Sequence, residues 1–278
     1  MGEHPKTSII ITTYNNKDVL HFVLETALNQ TVMPDEIVVA DDGSCDDTAE
    51  MVFRIAQTTP VPVLHTWHSD SGFRASRSRN NGIAVSSGDY LIFLDGDCYL
   101  NRFFVEDHLS FACEGVYVVG TRVNILPKRW EYVLRTRDGH ISVFSWGTHK
   151  KLNALRSRLL SRFHKHGGMA SANFAAWRSD IVRVNGFHEL FIGHGGEDRE
   201  IAQRLDHAGL TRRKMVHLGM AYHIAHPYNA KGDQVQLHEI IAKTVNEKLC
   251  RCHDGLDRAV HFLASATRDR FSRIIFEG

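Results

Sequence analysis

Short apolar runs alternate with amphipathic stretches through the first hundred residues. Ile9-Ile10-Ile11, preceded by Ser8, is β-branched without interruption and leaves through Thr12-Thr13-Tyr14-Asn15-Asn16. That pattern predicts a strand buried on both faces that exits its sheet into a polar loop. From Asp18, the apolar residues Leu20, Val23, Leu24, Ala27 and Leu28 recur at helical spacing until Pro34 stops them, which predicts a helix with one stripe facing a core. Glu36-Ile37-Val38-Val39-Ala40 reads as a second buried strand, turning at Asp41-Asp42-Gly43-Ser44. Asp47-Thr48 then reads as the cap of a helix through Met51, Val52 and Ile55. Val61 to His65 predicts a third strand, Ala75 to Val85 a helix, and Tyr90 to Leu94 a fourth strand running into Asp95-Gly96-Asp97.

Strands that alternate with helices imply an α/β fold with a largely parallel sheet, covered on both faces, whose ligands lie beyond the carboxyl ends of the strands. Thr12 to Tyr14, Asp41-Asp42 and Asp95 to Asp97 all fall on that edge. Later, Val116 to Val119 predicts another strand, and Lys128 to His166 is rich in Arg, Lys, His and Trp, as an insert or a substrate-facing segment would be. Ser171 to Trp177 reads as extended. Gly193-His194-Gly195-Gly196 leads into a helix from Glu197 to Ala208, Ala221 to Pro227 is extended, and the chain from about Gln234 reads as helix. This divides the protein into a first half at 1–100, a second half of the same domain at 101–230 and a helical extension at 231–278.

Composition removes several classes of function. Lys plus Arg number 33 against 32 Asp plus Glu in 278 residues, a formal net charge of +1, so nothing global calls for a nucleic-acid partner. No run approaches the roughly 18 apolar residues of a membrane span, and the start carries no apolar signal core. The expectation is a cytoplasmic protein, soluble or peripheral. Cys45, Cys98, Cys113, Cys250 and Cys252 make no disulfide framework in a chain of this length. Cys250-Arg251-Cys252-His253 lacks the second pair that a zinc finger needs.

Carboxylates at i and i+2 in Asp95-Gly96-Asp97 are hard donors suited to Mg²⁺ or Mn²⁺ held together with phosphate oxygens, and Gly96 between them lets the backbone approach a ligand closely. They also suit an ordinary turn. His223 and His226, at i and i+3, add imidazoles that Mn²⁺ accepts beside carboxylate, or serve as plain hydrogen-bonded histidines. Arg74, Arg77 and Arg79 lie along one helix, whose guanidinium forks match phosphate, although a solvated basic face reads the same way. Glu197 and Asp198 at a helix start complement its dipole, and a carboxylate there can also deprotonate a hydroxyl nucleophile.

In this order the motifs resemble the family 2 glycosyltransferases over roughly residues 7 to 228. Asn185-Gly186-Phe187-His188-Glu189 followed by Gly195-Gly196-Glu197-Asp198 resembles the acceptor region of galactosyltransferases and chondroitin-type polymerases. The resemblance implies a GT-A fold, with a Rossmann-like nucleotide-binding mixed sheet, and an inverting transfer. It places Thr12 and Tyr14 along the nucleotide pocket, Asp42 on uracil, Arg74 on the base and Arg79 on the phosphate side, within an A-R-N-x-G signature whose Ala is Ser78 here. Asp95 to Asp97 matches the DxD element, with Asp97 on the metal and Asp95 on ribose or metal. His226 matches a metal-binding His and His223 a further ligand, Asp198 the catalytic base, and Glu197 its neighbour that binds acceptor. His194 stands where galactosyltransferases usually carry Trp, so sugar specificity does not transfer.

The implied reaction moves Gal, Glc, GalNAc, GlcNAc or GlcA from a UDP-sugar to a glycan hydroxyl in bacterial surface polysaccharide or lipopolysaccharide assembly. A non-catalytic sugar-binding relative is the alternative. A sugar nucleotidyltransferase is disfavoured, because its glycine-rich loop is missing after the first strand. Residues 150–165 are basic and amphipathic, which suits either an anionic membrane surface, and with it a lipid-linked acceptor at the inner face of the cytoplasmic membrane, or a helix with a solvated basic side.

Overall fold

The computed structural model describes residues 4–141, 145–148, 155–157, 172–193, 195–224 and 234–276. Its first half is β1 (Thr7–Thr13), α1 (Lys17–Ala27), β2 (Glu36–Asp41), α2 (Asp46–Thr58), β3 (Val63–Trp67), α3 (Ala75–Val85) and β4 (Tyr90–Asp95). All four strands run parallel in the order β3-β2-β1-β4. Alternation divides their side chains between two cores. Ile9, Ile11, Ile37 and Val39 face a cluster that includes Leu20, Val23, Leu24 and Ala27 of α1. Ile10, Val38 and Ala40 face the opposite one with Ile83 of α3. Both faces are therefore covered, which is why the strands are apolar without interruption.

The second half supplies β5 (Cys98–Leu100), α4 (Phe104–Leu109), β6 (Val116–Val119), β7 (Thr121–Ile125), α5 (Pro127–Thr136), β8 (Asn173–Trp177), α6 (Arg178–Arg183), α7 (Glu197–His207), β9 (Thr211–Lys214), β10 (Met220–Ile224), α8 (Gln234–Asn246), α9 (Leu256–Leu263), β11 (Thr267–Arg268) and β12 (Ile274–Ile275). Strand β8 lies antiparallel to β4 and makes the sheet mixed; β6 and β9 extend it beyond β8. The nine strands run β11-β12-β3-β2-β1-β4-β8-β6-β9, and β5-β10-β7 form a separate small sheet.

Four local readings change. The third strand begins at Val63 rather than Val61, since Pro62 has no N–H for the ladder and contributes only its carbonyl, to Ile37 N at 2.9 Å. The helix expected from Asp47-Thr48 starts at Asp46, without a side-chain cap. The stretch after Lys128 carries the last part of a helix, α5. The C-terminal region has its expected helices, and then adds the β11–β12 hairpin, whose Ile274 and Ile275 pair in parallel with Thr66 and Trp67.

Most of the basic stretch 150–165 lies outside the described residues. Arg156 lies within them. Its Nη2 and Nε donate to the buried Asp107 carboxylate at 2.6 and 3.2 Å, and its guanidinium stacks 4.1 Å from the Phe103 ring centroid. That charge is engaged by the fold. Among the described residues no helix is long and apolar enough to cross a membrane.

Gly82 lets α3 lie close on the sheet: a Cβ there would stand 2.8 Å from Ile10 Cγ2 and 3.3 Å from Ala40 Cβ. Gly82→Val is expected to lower stability by about 1–3 kcal/mol through overpacking, read as a shift in the urea midpoint at unchanged slope.

Candidate active site

The exits of β1, β2 and β4 bring Thr12, Asp42 and Asp95 to one edge, as their positions predict. Thr12 Oγ1 donates to Asp95 Oδ1 at 3.1 Å. Gly96 is needed for a different contact than a ligand's: its N–H donates to Thr12 O at 2.7 Å, and a Cβ would stand 2.6 Å from that same oxygen. The close approach is between β1 and the Asp-Gly-Asp turn, and it sends the chain from the large sheet to the small one. There Asp97 Oδ2 lies 3.3 Å from His223 Nε2, because Cys98 is in register with His223 across β5 and β10. Their side chains are 21% and 14% exposed.

Asp42 and Arg74 meet at the start of α3. The Arg74 backbone N–H donates to Asp42 Oδ2 at 2.8 Å, and the Ser78 hydroxyl to Oδ1 at 3.2 Å. His68 Nε2 is also 3.2 Å from Oδ1. Ser78, the departure from the signature alanine, thus fastens α3 to the β2 exit. A base edge reaching Asp42 would share oxygens that already anchor this helix. Tyr14 is half-exposed and its hydroxyl donates to Asp70 Oδ2 at 2.8 Å. Asp70 was not singled out by the sequence; its short Asp-Ser-Gly turn was the signal available.

Arg79 is 3% exposed and joins the two halves of the site. Its Nη2 donates to Asp95 Oδ1 at 3.0 Å, its Nη1 to Glu197 Oε1 at 3.4 Å, and its guanidinium lies 5.1 Å from the Phe187 ring centroid. Burial pulls its pKa down, but Asp95 and Glu197 outweigh that and hold it above the ordinary arginine value. Next to it Asn80, which pattern reading passed over, clasps the 185–189 segment. Its Nδ2 donates to Phe187 O at 2.8 Å and Glu189 Oε1 at 3.0 Å, and its Oδ1 accepts Phe187 N–H at 2.9 Å.

Glu197 and Asp198 open α7. Its N-cap is Gly196 at φ +98, with no side-chain cap bond. A Cβ on Gly196 would stand 2.9 Å from Phe191 Cε1 and 3.1 Å from Ile241 Cδ1, so packing as well as backbone shape requires glycine there. Gly195, at φ +108, has open space around it. The Asp198 carboxyl is pushed up to about 6, first by burial and then by the neighbouring Glu197 charge. Glu197 Oε2 is buried and finds no partner among the described residues.

Among the described residues no three His, Cys, Asp or Glu side chains converge on a metal position. Asp97 and His223 nevertheless supply the donor types for a hard divalent ion, a carboxylate oxygen and an imidazole nitrogen in mutual contact. His226 and His194 lie outside the described residues. At the other suspected corner, Cys252 is buried with Sγ 3.4 Å from Asn185 O, while Cys250 and His253 are exposed, so those residues stay apart.

A mixed sheet with its carboxylates gathered at the parallel strands' exits and at the start of α7 is the fold of the GT-A glycosyltransferases. The chain belongs to glycosyl transferase family 2, whose model matches residues 8–179; a model of the N-terminal domain of galactosyltransferase matches residues 159–227. It is 28% identical over 223 residues to validoxylamine A glucosyltransferase of Streptomyces hygroscopicus subsp. limoneus, covering 74% of this chain and 49% of that protein. It is 28% identical over 243 residues to chondroitin synthase of Escherichia coli, covering 78% of this chain and 34% of that one. The chain therefore spans half or less of these relatives. A mannosyltransferase of Pyrobaculum calidifontis, solved with GDP-Man and Mn²⁺, shares the fold at TM-score 0.54 and 17% identity over 79% of this chain and 57% of its own.

Arg79→Met removes the buried cation between Asp95 and Glu197. Stability is expected to fall by about 3 kcal/mol, the scale for stranding buried charges, read as a lowered denaturation midpoint. An unchanged denaturation midpoint would show that the bridge is dispensable.

Proposed function

We propose that the chain is an inverting, divalent-metal-dependent glycosyltransferase that moves a hexose or hexose derivative from a UDP-sugar to a hydroxyl of a glycan acceptor. The observation that carries this reading is the Asp198 carboxyl, raised to about 6 beside Glu197 and within electrostatic reach of Arg79 and Asp95. A carboxylate with that affinity for a proton is matched to deprotonating a sugar hydroxyl near neutral pH. Glu197, whose Oε2 is unpartnered among the described residues, offers an acceptor for a second hydroxyl and orients the nucleophile.

On the donor side, Thr12, Tyr14, Asp42 and Arg74 surround the nucleotide, with Asp95 toward the ribose. Arg79 supplies fixed positive charge beneath Asp95. Asp97 and His223, with His226 and Asp95, would hold Mn²⁺ or Mg²⁺, which neutralises charge on a diphosphate leaving group. The GDP-Man and Mn²⁺ held by the structural neighbour support this donor and metal class. Asp198 takes its proton as the acceptor oxygen attacks the anomeric carbon from the face opposite the leaving group, so an α-linked donor gives a β-glycoside. The chondroitin synthase relative supports a polysaccharide acceptor. Contact of residues 150–165 with an anionic inner leaflet would extend the acceptor class to lipid-linked glycans of lipopolysaccharide or capsule assembly.

Asp198→Asn keeps the size of the side chain and removes the base. Transfer is expected to fall by about two to four powers of ten while UDP affinity is kept; equal turnover would sink this role and favour a non-catalytic binder. The raised carboxyl is protonated below its pKa. In wild type kcat/KM should therefore fall about tenfold per pH unit below about 6 and level off above about 7. A flat profile from pH 5 to 8 contradicts the assignment.

Asp97→Ala should abolish the metal-dependent part of UDP binding. Calorimetry of both proteins with and without Mn²⁺ measures this, and equal affinities throughout would defeat the metal assignment.

A further inference from the structure

Trp146 is 51% exposed, yet it is tightly held. Arg129, only 6% exposed, lies with its guanidinium 5.4 Å from the Trp146 ring centroid and 4.7 Å from that of Tyr132. The Arg129 Nη2 is fixed in turn by donating to His140 O at 3.0 Å. Tyr132 meets the indole edge-on at 6.0 Å. Gly147 turns at φ +72, where a Cβ would stand 2.6 Å from Arg129 Cβ, and its carbonyl accepts the Leu126 N–H at 2.8 Å. Thr148 then bridges Ile125. The indole is backed by a cation and still leaves half its surface to solvent, and Leu126 beside it is also exposed. Orienting a large apolar ring toward water costs free energy, and nothing in the packing of the core requires it.

Its place in the fold connects it to the reaction site. Ile224 N–H donates to Asp97 O at 3.3 Å, Ile224 is in register with Ile125, and Ile125 bridges Thr148. These four residues form a row across neighbouring extended segments. At about 4.8 Å per step the row spans roughly 14 Å from Asp97 to Thr148, and Trp146 lies two residues before Thr148 in the chain. Trp146 is thus joined to the Asp97 turn through the small sheet and α5, and not through the strand exits of the first half.

We propose that Trp146, backed by Arg129 and Tyr132, is a stacking platform for a pyranose ring of the acceptor glycan, removed from the hydroxyl that receives the sugar. This rests on the glycosyl-transfer reading above. The axial C–H groups of a β-linked pyranose form an apolar face with slight positive charge, which complements the electron-rich face of an indole. The equatorial hydroxyls of the same ring stay in water. Such a site selects ring shape and chain length and leaves the donor unaffected.

The test measures binding of cellohexaose, N-acetylchitohexaose and unsulfated chondroitin hexasaccharide, with the disaccharides as controls, to protein saturated with UDP and Mn²⁺. For the hexasaccharide that binds wild type best, Trp146→Ala should weaken binding about tenfold. Trp146→Phe should recover most of the loss, and the disaccharide should bind both proteins equally. UDP affinity should be the same in wild type and both variants, which also reports that they fold. Binding of the hexasaccharide by Trp146→Ala within twofold of wild type overturns the platform, as does failure of all three hexasaccharides to bind wild type that has taken up UDP. Failure of wild type to take up UDP with Mn²⁺ is a different result, and it overturns the glycosyl-transfer reading together with the platform that rests on it.

Discussion

The guanidinium of Arg79 is almost removed from water, and it is tolerable there only because two carboxylates from distant parts of the chain reach it. Asp95 comes from the end of β4 and Glu197 from the first turn of α7. Neither the strand exit nor the helix start can drift without leaving a buried charge unmatched. The Asn80 clasp on Phe187 and Glu189 and the Ser78 contact with Asp42 keep α3 where it can present that charge. Much of the architecture of the second half can be understood as delivering α7 to this point.

Electrostatics within the site are unbalanced in a way that bears on chemistry. Asp95 and Asp97 come from one segment and Glu197 and Asp198 from another, and the buried cation between the segments, Arg79, bridges one carboxylate of each. Beyond burial, the charges of Glu197 and, less strongly, Asp95 disfavour a charged Asp198, and Arg79 offsets them only in part. Surplus negative charge of this kind favours a bound cation, and it raises the cost of bringing a further anion in alone.

The first four strands and three helices were legible because parallel strands buried on both faces must be wholly apolar, and because the helices facing them carry regular stripes. Pro62 and Asp46 shifted boundaries by a residue or two, since ladder pairing and backbone shape are not visible in hydropathy. The β11–β12 hairpin escaped notice for a different reason: two-residue strands have no periodicity, and the partner of Ile274 and Ile275 is β3, far away in the chain. The site divided in the same way. Which residues stand on the catalytic edge followed from strand order, but which of them touch did not. Gly96 was taken to clear space for a ligand and instead clears it for Thr12 O. Asp42 and Arg74 were taken as separate base contacts, and in the structure the backbone of one is held by the side chain of the other.

The insertion of β8 beside β4 has a consequence for how the molecule comes into being. As the chain leaves the ribosome, β1 to β4 can pair as soon as they emerge, each strand joined to the next through a local crossover. The edge of β4 must then wait, bare and apolar, until the strand that covers it is made. The outer edge of β3 waits longer still, for the last strand of all. Distant pairings of this kind form slowly and leave sticky edges open meanwhile. Maturation therefore has an order, in which the parallel first half takes shape early and the helix bearing Glu197 and Asp198 arrives afterwards, so the Arg79 guanidinium has one of its two carboxylates well before it has the other.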